Sequence, residues 1–226
     1  FASGLDTLVG TTLHANFKLT QTKFEPIILS SPTGVFLDSI VTKPAQANHS
    51  RGRKTDGATV WSLFTNPTPD ASNVGSDLEY TARPVMNKNA GFYNGSLTVS
   101  ITCSSANSTI YYTDDGRTPD AGSTVYTGPI TISSTTVLRA ISIDDNNVAP
   151  SSFIESNTYF IDAPHLMPVI SIFGDQITTL LNGSQINPIT VLEYFDKNGI
   201  FQTEANGIAN EHGNDSWAYP QRGMDF

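Results

Sequence analysis

Cysteine is almost absent from this chain, since Cys103 is the only one. An intrachain disulfide is therefore excluded. No apolar run approaches the roughly 20 residues that a membrane-spanning helix requires. Long stretches of helical periodicity are also missing, which leaves short strands as the main structural signal.

Charge is scarce, and one sign dominates. Only 15% of the residues are charged, and 21 Asp and Glu outweigh 12 Lys and Arg to give a net charge of −9. The longest basic cluster is the segment 51–54, so nucleic acid and anionic membranes are poor candidate partners. Ser, Thr, Asn, Gly and Pro dominate between the hydrophobic segments, as is typical of all-β surface proteins.

Known catalytic motifs are missing as well. The chain has no His-Glu-x-x-His, no Gly-x-Ser-x-Gly and no glycine-rich phosphate loop, and its histidines are scattered. The polar run 211–215 could serve a metal or acid-base site, but a loop between two strands is the favoured interpretation. Glu193 and Asp196 could form a carboxylate pair, although turn and strand-surface positions are favoured. The sequence therefore assigns no catalytic residue.

Strand and turn signals agree best over residues 91–143. Leu97 and Val99 alternate with polar residues, as in a strand with one buried face. The segment 109–113 is β-branched and aromatic, and Gly116 supplies the positive φ of the tight turn that follows. Further short strands at close spacing predict a β-sandwich.

Four motifs occur in order through this stretch. They are GFY (91–93), TIYYTDDGRTP (109–119), YTGPI (126–130) and VLRA (137–140). Together they resemble the fibronectin-III-like module named after the C-terminal domain of chitobiase and β-hexosaminidase. The resemblance implies a spacer or accessory domain over residues 84–161. Because flat rings stack on sugars, Tyr111, Tyr112 and Tyr126 are candidate carbohydrate-binding residues, with packing inside the hairpin as the favoured alternative.

Residues 1–75 carry a second series of motifs. They are FKL (17–19), SPTGVFLDS (31–39), SRGRKTDG (50–57), WSLF (61–64) and TPDASN (68–73). In that order they resemble the second half of a lamin-tail domain of the bacterial extracellular type, which implies a partial immunoglobulin-like β-sandwich. The opening strands of that family have no counterpart before Phe17, so we expect the protein to continue upstream of Phe1.

Three polar residues of this region are a candidate ligand-binding cluster. They are Arg51, Arg53 and Asp56, and a turn with internal ion pairing is the favoured alternative. Trp61 is expected in the core. Residues 76–83 are polar and irregular, which predicts a short linker before the central module.

The segment 162–226 also contains ordered motifs. They are MPVISI (167–172), VLEYFDKNG (191–199), ANGIANEHG (205–213) and SWAYPQR (216–222). They resemble the N-terminal edge of the CotH (spore-coat protein H) family, some of whose members are atypical protein kinases. Arg222 stands where that family has a lysine resembling a nucleotide-phosphate ligand, so it is a candidate phosphate contact. The acidic residues that phosphoryl transfer requires would lie after Phe226.

This last segment supplies too few strands to make a closed core. We therefore expect another chain, or a continuation of this one, to cover its apolar side chains. These side chains are Val169, Ile172, Val191, Leu192, Phe195 and Ile208.

No metal site or cofactor is predicted, with Ca²⁺ as the one open candidate. Asp114, Asp115 and Asp120, and separately the segment 144–147, form oxygen-rich loops. Their spacing is not that of an EF-hand, and turn chemistry is favoured.

The leading functional hypothesis is a non-catalytic segment of a large secreted or cell-surface protein. Its tandem immunoglobulin- and fibronectin-III-like β-sandwich modules would act as spacer, presentation or adhesion elements, in a combination similar to type IX secretion cargo. Expected partners are other domains, neighbouring chains, glycans or cell-surface proteins. The alternatives are part of a CotH-like secreted kinase and a carbohydrate-binding accessory module.

Overall fold

The regular secondary structure of the described residues is almost entirely β, which confirms the predicted all-β class. The computed structural model describes residues 4–10, 12–20, 22–213 and 223–226. The chain divides into two compact units, Phe1–Glu79 and Tyr80–Phe226. Within the described ranges the one helix is short, and none is long and apolar enough to cross a membrane.

The described part of the first unit contains three antiparallel strand pairs, β1 with β2, β3 with β4 and β5 with β6. Their bounds are β1 (Thr7–Val9), β2 (Thr12–His14), β3 (Pro26–Ser30), β4 (Phe36–Val41), β5 (Ser50–Arg53) and β6 (Trp61–Phe64). The buried apolar side chains described here are Leu63 and Phe64. Most large apolar residues of β3 and β4 remain exposed, as shown by Ile28 at 66% and Phe36 at 63%.

The second unit begins with a β-sandwich. Its strands are β7 (Val85–Met86), β8 (Gly91–Tyr93), β9 (Leu97–Val99), β10 (Ile101–Thr102), β11 (Ser108–Thr113), β12 (Thr124–Val125), β13 (Ile130–Ile132), β14 (Thr136–Asp144) and β15 (Glu155–Ile161). Five of them form one sheet in the order β12-β11-β14-β15-β8. The antiparallel pairs β7–β10 and β9–β13 supply the opposite side of the core.

Alternation along the strands builds this core. Leu138 and Ala140 of β14 are fully buried against Val99 of β9 and Tyr159 of β15 within one apolar cluster. Because successive side chains of a strand point to opposite faces, Arg139 lies on the other face of the five-stranded sheet. That outer face is therefore available to a third layer.

The third layer comes from the last segment of the chain. Its elements are β16 (Val169–Phe173), α1 (Ile177–Leu181), β17 (Ile189–Phe195), β18 (Phe201–Ile208), β19 (Asn210–Glu211) and β20 (Met224–Asp225). β16, β17 and β18 form an antiparallel sheet, and β19 pairs with β20. The Phe195 ring lies 5.3 Å from Phe160 and 5.9 Å from Phe92, so this sheet packs on the outer face of the five-stranded sheet.

This packing corrects one expectation. Val191 and Phe195 are 3% and 0% exposed, so their covering layer lies within this chain and not outside it. The reason is that the outer face of the five-stranded sheet offers a second apolar surface. The sequence pattern of each segment does not show that the two segments pack on each other. Ile208, by contrast, is 59% exposed.

Candidate functional site

Glu193 is the most unusual ionisable residue of the third layer. It lies in β17 between Val191 and Phe195, on the strand face that packs on the sandwich, and it is 1% exposed. Its interpretation as a strand-surface residue is therefore wrong. The missed signal is the period of two, since Val191, Glu193 and Phe195 share one face of the strand.

The Glu193 carboxylate joins the two sheets. Its Oε2 accepts a hydrogen bond of 3.0 Å from the backbone N–H of Thr158, while Oε1 is buried without a hydrogen-bond partner among the described residues. Thr158 immediately precedes the residues of β15 that pair with β8, which begin at Tyr159. The carboxylate therefore satisfies a backbone donor next to the end of that strand pairing.

The environment of Glu193 favours its protonated form. Burial raises the pKa of Glu193 to about 7, and the hydrogen bonds from Thr158 oppose this shift only in part. The nearby carboxylates of Glu204 and Glu155 raise the pKa further through like-charge repulsion. Glu193 is therefore a buried group that titrates near neutral pH, a property that often marks functional positions.

Arg139 supplies the positive charge on the sandwich side of this interface. It is 5% exposed, and its Nη1 donates to the Gly116 carbonyl and to Thr118 Oγ1, both at 3.3 Å. Its guanidinium lies 5.5 Å from the centre of the Phe173 ring. Burial lowers the pKa of Arg139, and the nearby carboxylates of Asp175, Glu204 and Glu193 offset part of that effect. Arg139 is therefore a buried cation that is held by neutral oxygen acceptors and is attracted by carboxylates around the interface.

Shorter polar side chains complete the polar part of the interface between the two sheets. We call this part the polar seam. It consists of Arg139, Ser156, Thr158, Ser171 and Glu193, all of which are at most 8% exposed. The Thr158 and Ser171 hydroxyl oxygens are 2.7 Å apart, and Arg139 Nε donates to Ser156 Oγ at 3.3 Å. Buried polar groups with such partners fix the register of two packed layers more strictly than apolar contacts do.

Aromatic rings pack beside the polar seam. Phe92 stacks on Phe160 at 4.4 Å and on His165 at 3.9 Å. The turn between β17 and β18 also approaches these rings, because a Cβ added at Gly199 would come within 2.7 Å of Phe92. The interface therefore combines an apolar and a polar part, and both fix the third layer on the sandwich.

The tyrosines proposed to bind carbohydrate occupy two different faces. Tyr112 and Tyr126 pack against the core of the sandwich, with their ring centres 6.5 Å apart in an edge-to-face arrangement. Tyr126 Oη accepts a hydrogen bond of 3.0 Å from the Ile101 N–H. Tyr111 precedes Tyr112 in β11, so its side chain lies on the opposite face of the strand, where it is half-buried. Packing accounts for Tyr112 and Tyr126, and sugar binding by any of the three stays a prediction.

The three residues of the candidate ligand-binding cluster in the first unit bind three different partners. Both Nη atoms of Arg51 bind the Glu79 carboxylate, at 2.8 and 2.9 Å, whereas Arg53 pairs with Asp38. Asp56 Oδ1 accepts a hydrogen bond of 3.0 Å from the Asn73 N–H. The expectation of ion pairing inside the turn is therefore wrong, because all three residues bind outside it.

Trp61 is also placed differently from the expectation. It is 36% exposed, so its assignment to the core is wrong. Leu63 and Phe64 occupy the small core of the first unit, and the Arg53 guanidinium lies 5.6 Å from the centre of the Trp61 ring.

The oxygen-rich loops use their carboxylates to hold turns. Asp115 pairs with Arg117 at 2.6 Å, and Asp120 Oδ1 accepts from the Gly122 N–H at 2.9 Å. Asp144 Oδ2 accepts from two successive backbone N–H groups, those of residues 148 and 149. Among the described residues no three His, Cys, Asp or Glu side chains are grouped to hold a metal ion.

The remaining candidates lie near the end of the chain. Arg222, the candidate phosphate contact, lies outside the described residues. The polar run 211–215 is described only as far as Gly213. His212 Nδ1 lies 2.8 Å from Asp225 Oδ1, and Glu211 belongs to the short pair of β19 and β20.

The strand topology and the single core of β7 to β15 define an immunoglobulin-like, fibronectin-III-like β-sandwich module. Residues 88–154 match the chitobiase/beta-hexosaminidase C-terminal domain family, which confirms the central part of the resemblance. The match supports an immunoglobulin-like accessory module of a carbohydrate-related type for this region. A search of curated proteins finds no match to the chain.

Proposed function

We propose that this chain is a non-catalytic segment of a large secreted or cell-surface protein. In this proposal the β-sandwich acts as a rigid carrier that presents the segment after it in one orientation. The supporting observation is the burial of Phe195, at 0% exposure, against the outer face of the sandwich. A flexible spacer would instead present a polar face to solvent at this position.

The chemistry of the polar seam agrees with a presenting role. A general acid or base must be within hydrogen-bond reach of a substrate atom. Glu193 is 1% exposed, and it accepts a hydrogen bond from the backbone of the adjacent sheet. Its role is therefore to hold the two sheets together. Export and type IX secretion are part of this proposal and rest on the resemblances of the flanking segments.

The lamin-tail-like and CotH-like assignments belong to the same proposal. A CotH-like secreted kinase is the second candidate, and in it the sandwich would orient the first strands of the kinase-like domain. The observation that favours it is the fixed packing of β16 to β18, the strands that carry the CotH-like motifs.

Amide hydrogen exchange on the full chain tests the carrier proposal. Phe195→Ala removes the ring that joins the two layers, a change that typically costs about 3 to 5 kcal/mol in a core. We expect faster exchange throughout β16 to β18, while the core strand β14 keeps most of its protection. Ile208→Ala is the matched control, because that side chain is 59% exposed.

Two results would contradict the carrier proposal. One is unchanged protection of β16 to β18 in Phe195→Ala. The other is rapid exchange of these strands in the unaltered chain, since a loosely attached segment cannot be held in one orientation.

A further inference from the structure

A cleft of about 440 Å³ opens on the first unit beside β4, β5 and β6. Trp61 lines it together with Asp38, Arg53, Gly57 and two hydroxyl residues, Ser39 and Thr59. The cleft is open to solvent, so it would contact one side of a ligand rather than enclose it. It belongs to a different unit from the polar seam and from the candidate tyrosines.

Trp61 gives this cleft a partly exposed aromatic surface. The residue is 36% exposed, and the Arg53 guanidinium lies over the ring, 5.6 Å from its centre, so a sugar would pack on the part of the indole that Arg53 leaves uncovered. An indole combines a large flat apolar surface with one N–H donor. The C–H face of a pyranose ring fits such a surface, while its hydroxyl groups remain available to neighbouring polar groups.

Contacts within the protein hold the polar groups of the cleft in place, and the net charge of these groups is close to zero. Arg53 binds both the Asp38 carboxylate and the Ala58 carbonyl, which fixes the position of its guanidinium. A guanidinium has five donors and a carboxylate about four acceptor sites, so the pair retains capacity for a ligand. Their opposite charges cancel, which favours an uncharged ligand over an anionic one.

Two hydroxyl groups add further capacity. Ser39 and Thr59 are exposed, and their hydroxyls make no hydrogen bond within the part of the chain that the structure describes. A hydroxyl both donates and accepts, as do the hydroxyls of a sugar. Gly57 leaves open space in the same cleft, because a Cβ added there would meet nothing within 4 Å.

We infer that this cleft binds a neutral hexopyranose oligosaccharide, with one sugar ring on Trp61 and vicinal hydroxyls on Arg53 and Asp38. The inference is independent of the carrier proposal, because it concerns the first unit alone. It also differs from sugar binding by Tyr111, Tyr112 or Tyr126.

Titration of the full chain with cellohexaose tests the inference. Calorimetry should show saturable binding with a Kd between about 0.1 and 10 mM, the range of weak single sites. In parallel, the indole N–H signal of Trp61 should shift in a nitrogen-15 NMR spectrum. Trp61→Phe identifies that signal against the second tryptophan, Trp217.

Substitutions assign the binding to the cleft. Trp61→Ala should weaken binding at least about tenfold, as expected when a central aromatic contact is lost. Gly57→Asn should weaken it to a similar extent by filling the cleft, since Asn tolerates the positive φ of 74° at this position. Ile208→Ala, at an exposed position of the second unit, is the control and should leave the affinity unchanged.

Three outcomes would overturn the inference. One is the absence of cellohexaose binding up to about 10 mM. The second is equal or tighter binding of the anionic probe hexagalacturonate. The third is a loss of affinity in Tyr111→Ala with none in Gly57→Asn, which would place the sugar on the sandwich. If Trp61→Ala fails to fold by circular dichroism, Gly57→Asn decides the matter because it keeps the ring.

Discussion

Replacement of Glu193 by glutamine should remove a specific part of the pH dependence of stability. The pKa of this buried carboxyl is raised from 4.5 to about 7 in the folded chain. Each pKa unit corresponds to about 1.4 kcal/mol, so a shift of about 2.5 units amounts to about 3 kcal/mol. Glutamine resembles the protonated acid in shape, and its carbonyl can still accept the Thr158 N–H.

The sign of the effect follows from proton linkage. The folded state holds the proton more tightly than the unfolded state does, so the contribution of Glu193 is fully present below about pH 4.5. It is lost as the pH rises through about 7. Relative to the glutamine variant, the unaltered chain should therefore lose about 3 kcal/mol of unfolding free energy between these limits. The nearby carboxylates of Glu204 and Glu155 raise the pKa of Glu193, and Arg139 is the cation that interacts with it.

Urea unfolding at a series of pH values measures this difference directly. The comparison between variants is needed because other carboxyls act in the opposite sense. The pKa of Glu79, for example, is lowered by its hydrogen bond with Arg51, so its contribution is lost as the pH falls. Asp114→Asn, at an exposed site, is the control and should parallel the unaltered chain.

Either of two results would contradict the raised pKa of Glu193. If the difference in unfolding free energy between the two chains is constant from about pH 4.5 to 8, the carboxyl does not titrate within the interface. A difference that changes in the opposite direction would mean that the charged form is the one stabilised by folding.

Two further substitutions test the interface. Glu204→Gln removes a like charge near Glu193, so the pKa of Glu193 should fall, and the loss of stability above about pH 4.5 should be smaller and complete at a lower pH, as followed by the same urea series. Gly116→Ala should lower the unfolding free energy by at least about 1 to 2 kcal/mol in thermal unfolding, because φ is 78° and the new Cβ would lie 2.9 Å from Phe173 Cβ. Gly95→Ala, with φ of 69° and open space, measures the backbone strain alone, and an equal effect at both glycines would contradict the steric part.

Local patterns were sufficient to predict the central module. The alternation of Leu97 and Val99 with polar residues predicted a strand, and both are buried in β9 as expected. Gly116 was predicted to have a positive φ from the turn chemistry around it, and the structure confirms this. Such features depend on neighbours within a few residues, which the sequence displays directly.

Other features depend on which distant surfaces meet, and only the tertiary structure decides them. The same strand pattern of Val191, Glu193 and Phe195 would suit a solvent-facing edge or a buried layer, and the outer face of the sandwich determines which one occurs. Trp61 is exposed because the small core of the first unit is filled by other side chains. Burial and the pKa of Glu193 are set by contacts between separate segments, so local composition determines the strands and the packing of layers determines their chemistry.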